Sequence, residues 1–211
     1  MTTTADLIVQ GLKDLGLSHL FCLPGVQNDD FFDALYPHRD TVRPIQVRHE
    51  QAAGYMALGA SLATGQPQAY CVVPGPGFLN TTAALSTAYA VNAPVLALIG
   101  QIPTGAIDRE YGLLHEIPNQ EGILGSLTKH ATRILEPEKA QSQLHEALTA
   151  LVNGRPRPVG IECPMNIWGS EVGSDSTLPP LEITPCAPST NAIELAAALL
   201  DQSEHPLIIV G

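Results

Sequence analysis

A carboxylate at the start of a helix is the sharpest chemical feature of this sequence. Arg48-His49-Glu50-Gln51-Ala52-Ala53 joins a strand-like run to a helix of small residues, which puts Glu50 in the first helical turn at a strand's carboxyl end. A carboxylate there complements the helix dipole, and that is the bland reading. It can also offer an acid–base group to a ligand gathered at the edge of a parallel sheet. The second feature is PGPGFLNTTAAL, residues 74–85. Its two prolines and two glycines, set between strand and helix, let backbone approach a ligand closely. The third glycine of a dinucleotide fingerprint is misplaced, and no GK[ST] follows as a P-loop requires. As a bare pattern it is equally a strand-ending turn.

The elements that must position these residues alternate along the chain. Thr4 can cap a helix carrying Leu7, Ile8, Leu12 and Leu15, stopped by Gly16. His19 to Cys22 reads as a buried strand ending in Pro24-Gly25, and Asn28 or Asp29 can cap a short helix with Phe31, Phe32 and Leu35. Strand-like Pro44 to Val47 leads to a helix from about His49 to Thr64, closed by Gly65. Strand 69–73, the PGPG loop, helix 78–90 and strand 94–99 repeat the unit. Residues 100–118 lack periodicity, and so long a segment inside a domain is usually functional. Strand 129–134, helix 137–152 and strand 158–161 complete the pattern. The expectation is an α/β fold, a doubly wound parallel sheet with helices on both faces, spanning residues 1–168. Residues 169–190, rich in Pro, Ser and Thr, read as a linker. Residues 191–211, a helix and the apolar run 206–210, read as the beginning of a second α/β domain; the competing reading packs them back on the first.

Composition excludes several classes. With 10 Lys+Arg against 21 Asp+Glu the net charge is −11, so no basic footprint for nucleic acid exists. At 45% hydrophobic and 15% charged residues the 211-residue chain is too apolar for disorder and long enough for its own core. No apolar run reaches the roughly 18 residues of a transmembrane helix, and the first residues lack a secretory pattern. Cys22, Cys71, Cys163 and Cys186 never form CxxC, and the first three lie in apolar stretches. Free thiols in a cytoplasmic protein are expected, with no metal site.

Together LPG at 23–25, RHEQAAGYMALGASLATG at 48–65, PGPGFLNTTAALSTAYAVNAPVLALIGQ at 74–101 and GRPRPVGIECP at 154–164 resemble one known domain. It is the pyrimidine-binding domain of thiamine-diphosphate enzymes, in the acetolactate synthase and 2-oxoacid decarboxylase branch. The resemblance runs from residue 4 to about 168. It implies that Glu50 hydrogen-bonds N1′ of the cofactor's aminopyrimidine and so assists removal of the thiazolium C2 proton. It places Pro24, Gly25, Gly75 and Asn80 along the pyrimidine end of the pocket. His115, in LLHEIPNQ, stands where relatives often have the Gln of FQE or one of two paired histidines. It is a candidate for proton transfer on the substrate side, or else an ordinary loop histidine. The departure leaves the 2-oxoacid and its acceptor open.

The resemblance also implies that diphosphate and Mg²⁺ are held by a GDG…N motif in another domain. No GDG occurs here, so the chain is expected to supply half a cofactor site and to be inactive alone, with FAD left open. A homodimer or homotetramer is implied, because the site lies between subunits. The long charge-free stretches of the helices after Glu50 and Phe78 agree with a second copy packing there. The implied activity is decarboxylation of a 2-oxoacid with ligation of the product to an acceptor. A split enzyme with its diphosphate domain on another polypeptide, and a non-catalytic module retaining the fold, are the alternatives.

Overall fold

The apolar runs read from the sequence pair into a parallel sheet in the computed structural model, which describes residues 1–173, 176–185 and 187–209. The chain begins with β1 (Thr2–Thr3), α1 (Thr4–Asp14), β2 (His19–Leu23), α2 (Asp29–Leu35) and β3 (Arg43–Gln46). It continues through α3 (Glu50–Thr64), β4 (Gln68–Val72), α4 (Pro76–Leu79), α5 (Thr82–Ala90) and β5 (Val95–Gln101). Then come α6 (Gln120–Ser126), β6 (His130–Arg133), α7 (Pro137–Val152), β7 (Val159–Pro164), α8 (Met165–Trp168), β8 (Glu171–Gly173) and α9 (Thr190–Asp201).

Six strands lie in the order β3-β2-β4-β5-β7-β6, all parallel. Every residue of β5 and β7 is buried, and both are apolar but for Gln101 and Glu162, as strands covered on both faces mostly are. Leu7 and Ile8 of α1, Leu144 and Leu148 of α7, and Trp168 pack on one face. Ala53 and Ala57 of α3, Leu85 of α5 and Leu124 of α6 pack on the other. The doubly wound expectation is met. The winding has a functional consequence. From β2 the chain steps outward to β3, then returns to lay β4 on the opposite side of β2. The reversal opens a crevice at the carboxyl ends of β2 and β4, where α/β sheets collect ligands.

Several local expectations change. Thr3, not Thr4, caps α1: its hydroxyl accepts from Asp6 N while the Asp6 carboxylate accepts from Thr3 N, a closed capping box. Asn28 stands at the N-cap of α2 but makes no capping bond; its amide turns inward and donates to Cys71 Sγ at 3.3 Å. The helix expected over 78–90 is two helices, broken at Asn80–Thr81. Thr81 Oγ1 donates to Phe78 O at 2.7 Å and meets the buried Tyr70 hydroxyl at 2.9 Å, a polar anchor that halts the helical ladder. Beyond the aperiodic segment 100–118, α6 forms over residues to which the sequence assigned no element.

The linker is partly tied down. β8 pairs antiparallel with β1, and Leu178 and Leu181 lie against the core. α9 forms as expected, capped by Ser189, yet none of its residues is buried, so it does not pack back on the sheet. Residues 206–209 form no strand, since extended backbone needs a neighbouring strand to satisfy it. Cys186 and Val210 lie outside the described residues, and the other three cysteines are buried and free. Among the described residues no helix is long and apolar enough to cross a membrane.

The capping box gives a direct test. Thr3→Ala should lower unfolding stability by about 1 kcal/mol in urea titrations. Thr4→Val should cost less or stabilise, because the Thr4 hydroxyl is buried without a partner among the described residues. Equal losses at the two positions would contradict this assignment.

Candidate functional site

Turns that follow β2 and β4 meet over the crevice. A Cβ on Gly25 would lie 2.5 Å from Val73 Cγ1, so Pro24-Gly25 is seated directly on the end of the neighbouring strand. Gly75 adopts φ 59°, the left-handed region that favours glycine, and a Cβ there would run into the backbone carbonyl of His115. Gly77 is pressed against Val73, and a Cβ on it would point to within 3.6 Å of Glu50 Oε1. The glycines leave backbone where side chains would fill the crevice.

Glu50 is the first residue of α3. His49 precedes it as N-cap, its ring Nδ1 accepting from Gln51 N at 3.2 Å. Glu50 is half-buried, and its Oε2 accepts from Asn80 Nδ2 at 2.9 Å. Asn80 can reach it because the helix breaks at that residue. Oε1 carries no hydrogen bond among the described residues and faces the space beside Gly77. A carboxylate with one oxygen pinned and the other free can hold a proton shared with a ring nitrogen, and the missing Cβ atoms leave room for a flat ring. The surface around the pair is open. A groove of about 740 Å³ lies elsewhere, between α1 and the linker, lined by Asp6, Lys13, His38 and Leu178.

His115 comes to the same turn from the opposite side. It too has positive φ, 70°, in a segment where Asp108, Glu110, Gly112 and Asn119 share that conformation. The Glu116 carboxylate holds the segment folded, accepting from Leu113 N at 2.8 Å and Tyr111 N at 3.3 Å. His115 Nδ1 lies 3.1 Å from Gln27 Oε1. Gln27 donates its amide to Leu114 O at 3.4 Å, and its own carbonyl accepts from Trp168 Nε1 at 3.0 Å. Because the Leu114 carbonyl can only accept, the Gln27 oxygen must face the histidine. His115 then donates from Nδ1, and in the neutral ring Nε2 is the acceptor.

Beneath the turns lies a buried polar layer. Glu162, inside the otherwise apolar β7, is fully buried; its Oε1 accepts from Gln101 Nε2 at 2.8 Å and from Arg133 Nε. Burial pushes its carboxyl above the ordinary value, and Arg133 pulls it partly back. Gln120 Oε1 accepts from Gly75 N at 2.7 Å, and its Nε2 donates to Gly100 O at 3.1 Å. Burial also pushes the Cys22 thiol to about 11, so it stays protonated. Among the described residues no three His, Cys, Asp or Glu side chains cluster for a metal.

All six residues singled out from the sequence, Pro24, Gly25, Glu50, Gly75, Asn80 and His115, lie around this crevice. Sequence reasoning missed Gln27, Gln101, Gln120, Arg133 and Glu162. A lone charge inside PVGIECP was a legible signal for Glu162. The glutamines carried none, since the partners that orient them are distant: His115 lies 88 residues from Gln27, Glu162 61 from Gln101, and Gly100 20 from Gln120.

Comparison with known proteins follows the same outline. The family model for the thiamine pyrophosphate enzyme N-terminal TPP binding domain matches residues 2–123. The chain is 34% identical over 213 residues to a probable acetolactate synthase large subunit of Methanocaldococcus jannaschii, covering 98% of this chain and 35% of that one. It is 29% identical to a probable 2-ketoarginine decarboxylase of Pseudomonas aeruginosa, covering 99% of this chain and 37% of the relative. It is also 29% identical to oxalyl-CoA decarboxylase of Escherichia coli, covering 100% and 38%. The chain thus spans about a third of the length of these curated relatives.

The buried pair yields a prediction with a defined sign. Arg133→Met strands Glu162 and should cost about 3–5 kcal/mol. The folded-state carboxyl of Glu162 is raised, so its contribution is fully present below the unfolded value, about 4.3, and fades as pH rises toward the folded one. Without Arg133 that folded value climbs further. The variant should therefore lose stability more steeply than wild type from about pH 4 to 7 in urea titrations; parallel curves would contradict it.

Proposed function

This chain belongs to the thiamine pyrophosphate enzyme family, as an N-terminal TPP-binding domain, and we propose that it supplies the pyrimidine half of a cofactor site. The enzyme would decarboxylate a 2-oxoacid and ligate the product to an acceptor, as in the acetolactate synthase branch. The observation that carries the reading is Glu50 at the winding reversal, one oxygen held by Asn80 and the other free beside Gly77. When bound, thiamine diphosphate supplies the nucleophilic carbon and the electron sink that decarboxylation needs. Glu50 Oε1 holds a proton shared with the pyrimidine ring. Asn80 fixes the carboxylate's rotamer, and Pro24, Gly25 and Gly75 form the backbone wall along the ring. His115, through Nε2, takes or returns a proton on the substrate side. Mg²⁺ and the diphosphate would be held by residues outside these 211.

Glu50 is half-buried in this chain, and acid–base work there favours a drier surrounding. The reading therefore includes a second copy covering the site. Tyr55, Met56 and Leu62 along α3, Leu79 of α4 and Val91 after α5 are exposed, with no charge between Gln51 and Gln68. Such a face suits an isologous two-fold contact.

In the full-length protein, Glu50→Gln should slow exchange of the cofactor's C2 proton, followed by NMR in deuterium oxide, by about 10²–10⁴-fold. His115→Gln should leave that exchange at the wild-type rate and lower turnover of a 2-oxoacid panel. Wild-type exchange in the Glu50 variant would remove Glu50 from the mechanism. An exchange defect in the His115 variant would move that residue to the cofactor side. The oligomer has its own test: light scattering at micromolar concentration should give a dimer or tetramer, with an interface above roughly 2,000 Å². A monomer that turns over substrate would overturn the shared site.

A further inference from the structure

Gln120, the first residue of α6, is buried, and its amide is held through both nitrogen and oxygen. Nε2 donates to the Gly100 carbonyl at 3.1 Å, beside the buried Glu162 carboxylate. A carbonyl only accepts, so the NH₂ group must face it and the amide oxygen must face away. What it faces is Gly75 N–H, at 2.7 Å. Gly75 is itself buried, with the His115 backbone closing its other side. Its N–H has no water to turn to if the glutamine oxygen is lost, and a buried orphan donor is costly enough to make a turn move. From Gly75 the chain runs through the single helical turn of α4 to Asn80, and Asn80 holds Glu50.

We propose that Gln120 is a positioning residue of the cofactor site, locking the Pro74–Gly77 turn and, through α4, the Asn80–Glu50 contact. This rests on the functional reading above. Gln120 touches neither ring nor substrate; it determines where the groups that do are held. The Gly100 carbonyl has a part in this, because it dictates which way the glutamine amide points.

The test uses the full-length protein and two variants. Gln120→Met keeps the length and removes the acceptor. Gln120→Glu keeps the acceptor and shape but sets a second carboxyl beside Glu162; the other charged or titratable groups near this layer are Arg133 of β6, Glu121 of α6, His115 and the buried Cys163 thiol of β7. In the cofactor-free protein, Gln120→Met should speed backbone amide exchange in the peptide spanning 73–80, measured by mass spectrometry. With cofactor it should lower kcat by up to about 10²-fold, as a displaced site does. KM and the thiamine-diphosphate Kd should stay within about threefold of wild type, since binding groups are retained. Gln120→Glu should approach wild-type kcat at acid pH, where its protonated carboxyl can donate and accept like the amide. It should lose activity as pH rises and the two carboxylates repel. Unchanged amide exchange with kcat within about twofold of wild type in Gln120→Met would overturn the proposal. If that variant does not fold, a Gln120→Glu profile parallel to wild type would overturn it. A wild-type protein that binds no thiamine diphosphate would sink the functional reading and this proposal with it. Wild-type binding and turnover with an indifferent Gln120 would sink the positioning role alone.

Discussion

Gly75 must keep a left-handed backbone against the carbonyl of His115 while its N–H is satisfied inside the protein. Few residues can meet that demand, and much of the site follows from it. The left-handed turn sends the chain from β4 into the short α4 and delivers Asn80 to Glu50. It leaves no room for a side chain where the segment carrying His115 crosses. It also needs a buried acceptor, which Gln120 provides from a helix that sits over the far half of the sheet. Three stretches of chain distant in sequence, at Glu50, at 75–80 and at 115–120, are thereby brought together.

Such a turn is only as firm as what lies beneath it. A carboxylate, an arginine and two glutamines occupy the layer under the crevice, in a region otherwise built of Val, Leu, Ile and Cys. A buried charge of this kind seldom adds net stability compared with a well-packed apolar replacement. Its value here is directional. The Glu162 carboxylate, held by Arg133, orients the Gln101 amide, and the Gly100 carbonyl orients that of Gln120. Gln27 does the same on the other side, where a backbone carbonyl orients its amide and the amide oxygen then selects the tautomer of His115. Glutamines that look interchangeable with any polar residue in the sequence are thus the parts that aim the site.

The crevice is shaped on one side and open on the other. Glu50 and Asn80 lie at the surface, apolar residues along α3 are exposed, and α9 presents Ile193, Leu195 and Leu199 to solvent. These uncovered groups support the reading, proposed above, that the chain is one component of a larger site. Its span of about a third of its relatives' length agrees with that.

Much of this was legible in the residues. Alternation of apolar runs with helical patterns determined the doubly wound sheet, because a strand covered on both faces is apolar along most of its length. The strand-to-helix junctions at Pro24-Gly25, Glu50 and Pro74–Gly77 determined the site's location, because loops at carboxyl ends of parallel strands share one edge whatever the strand order. Capping by Thr3 rather than Thr4, the break at Asn80 and the helix after Asn119 were not legible; each is settled by a bond or packing contact that competes with local propensity. Strand order itself was decided by tertiary structure, and with it the reversal that puts the turn after β2 beside the turn after β4. So were the roles of Gln27, Gln120 and Glu162. A side-chain amide has no preferred partner in the sequence around it, and it acquires one only when the fold has removed water and left a single group within reach.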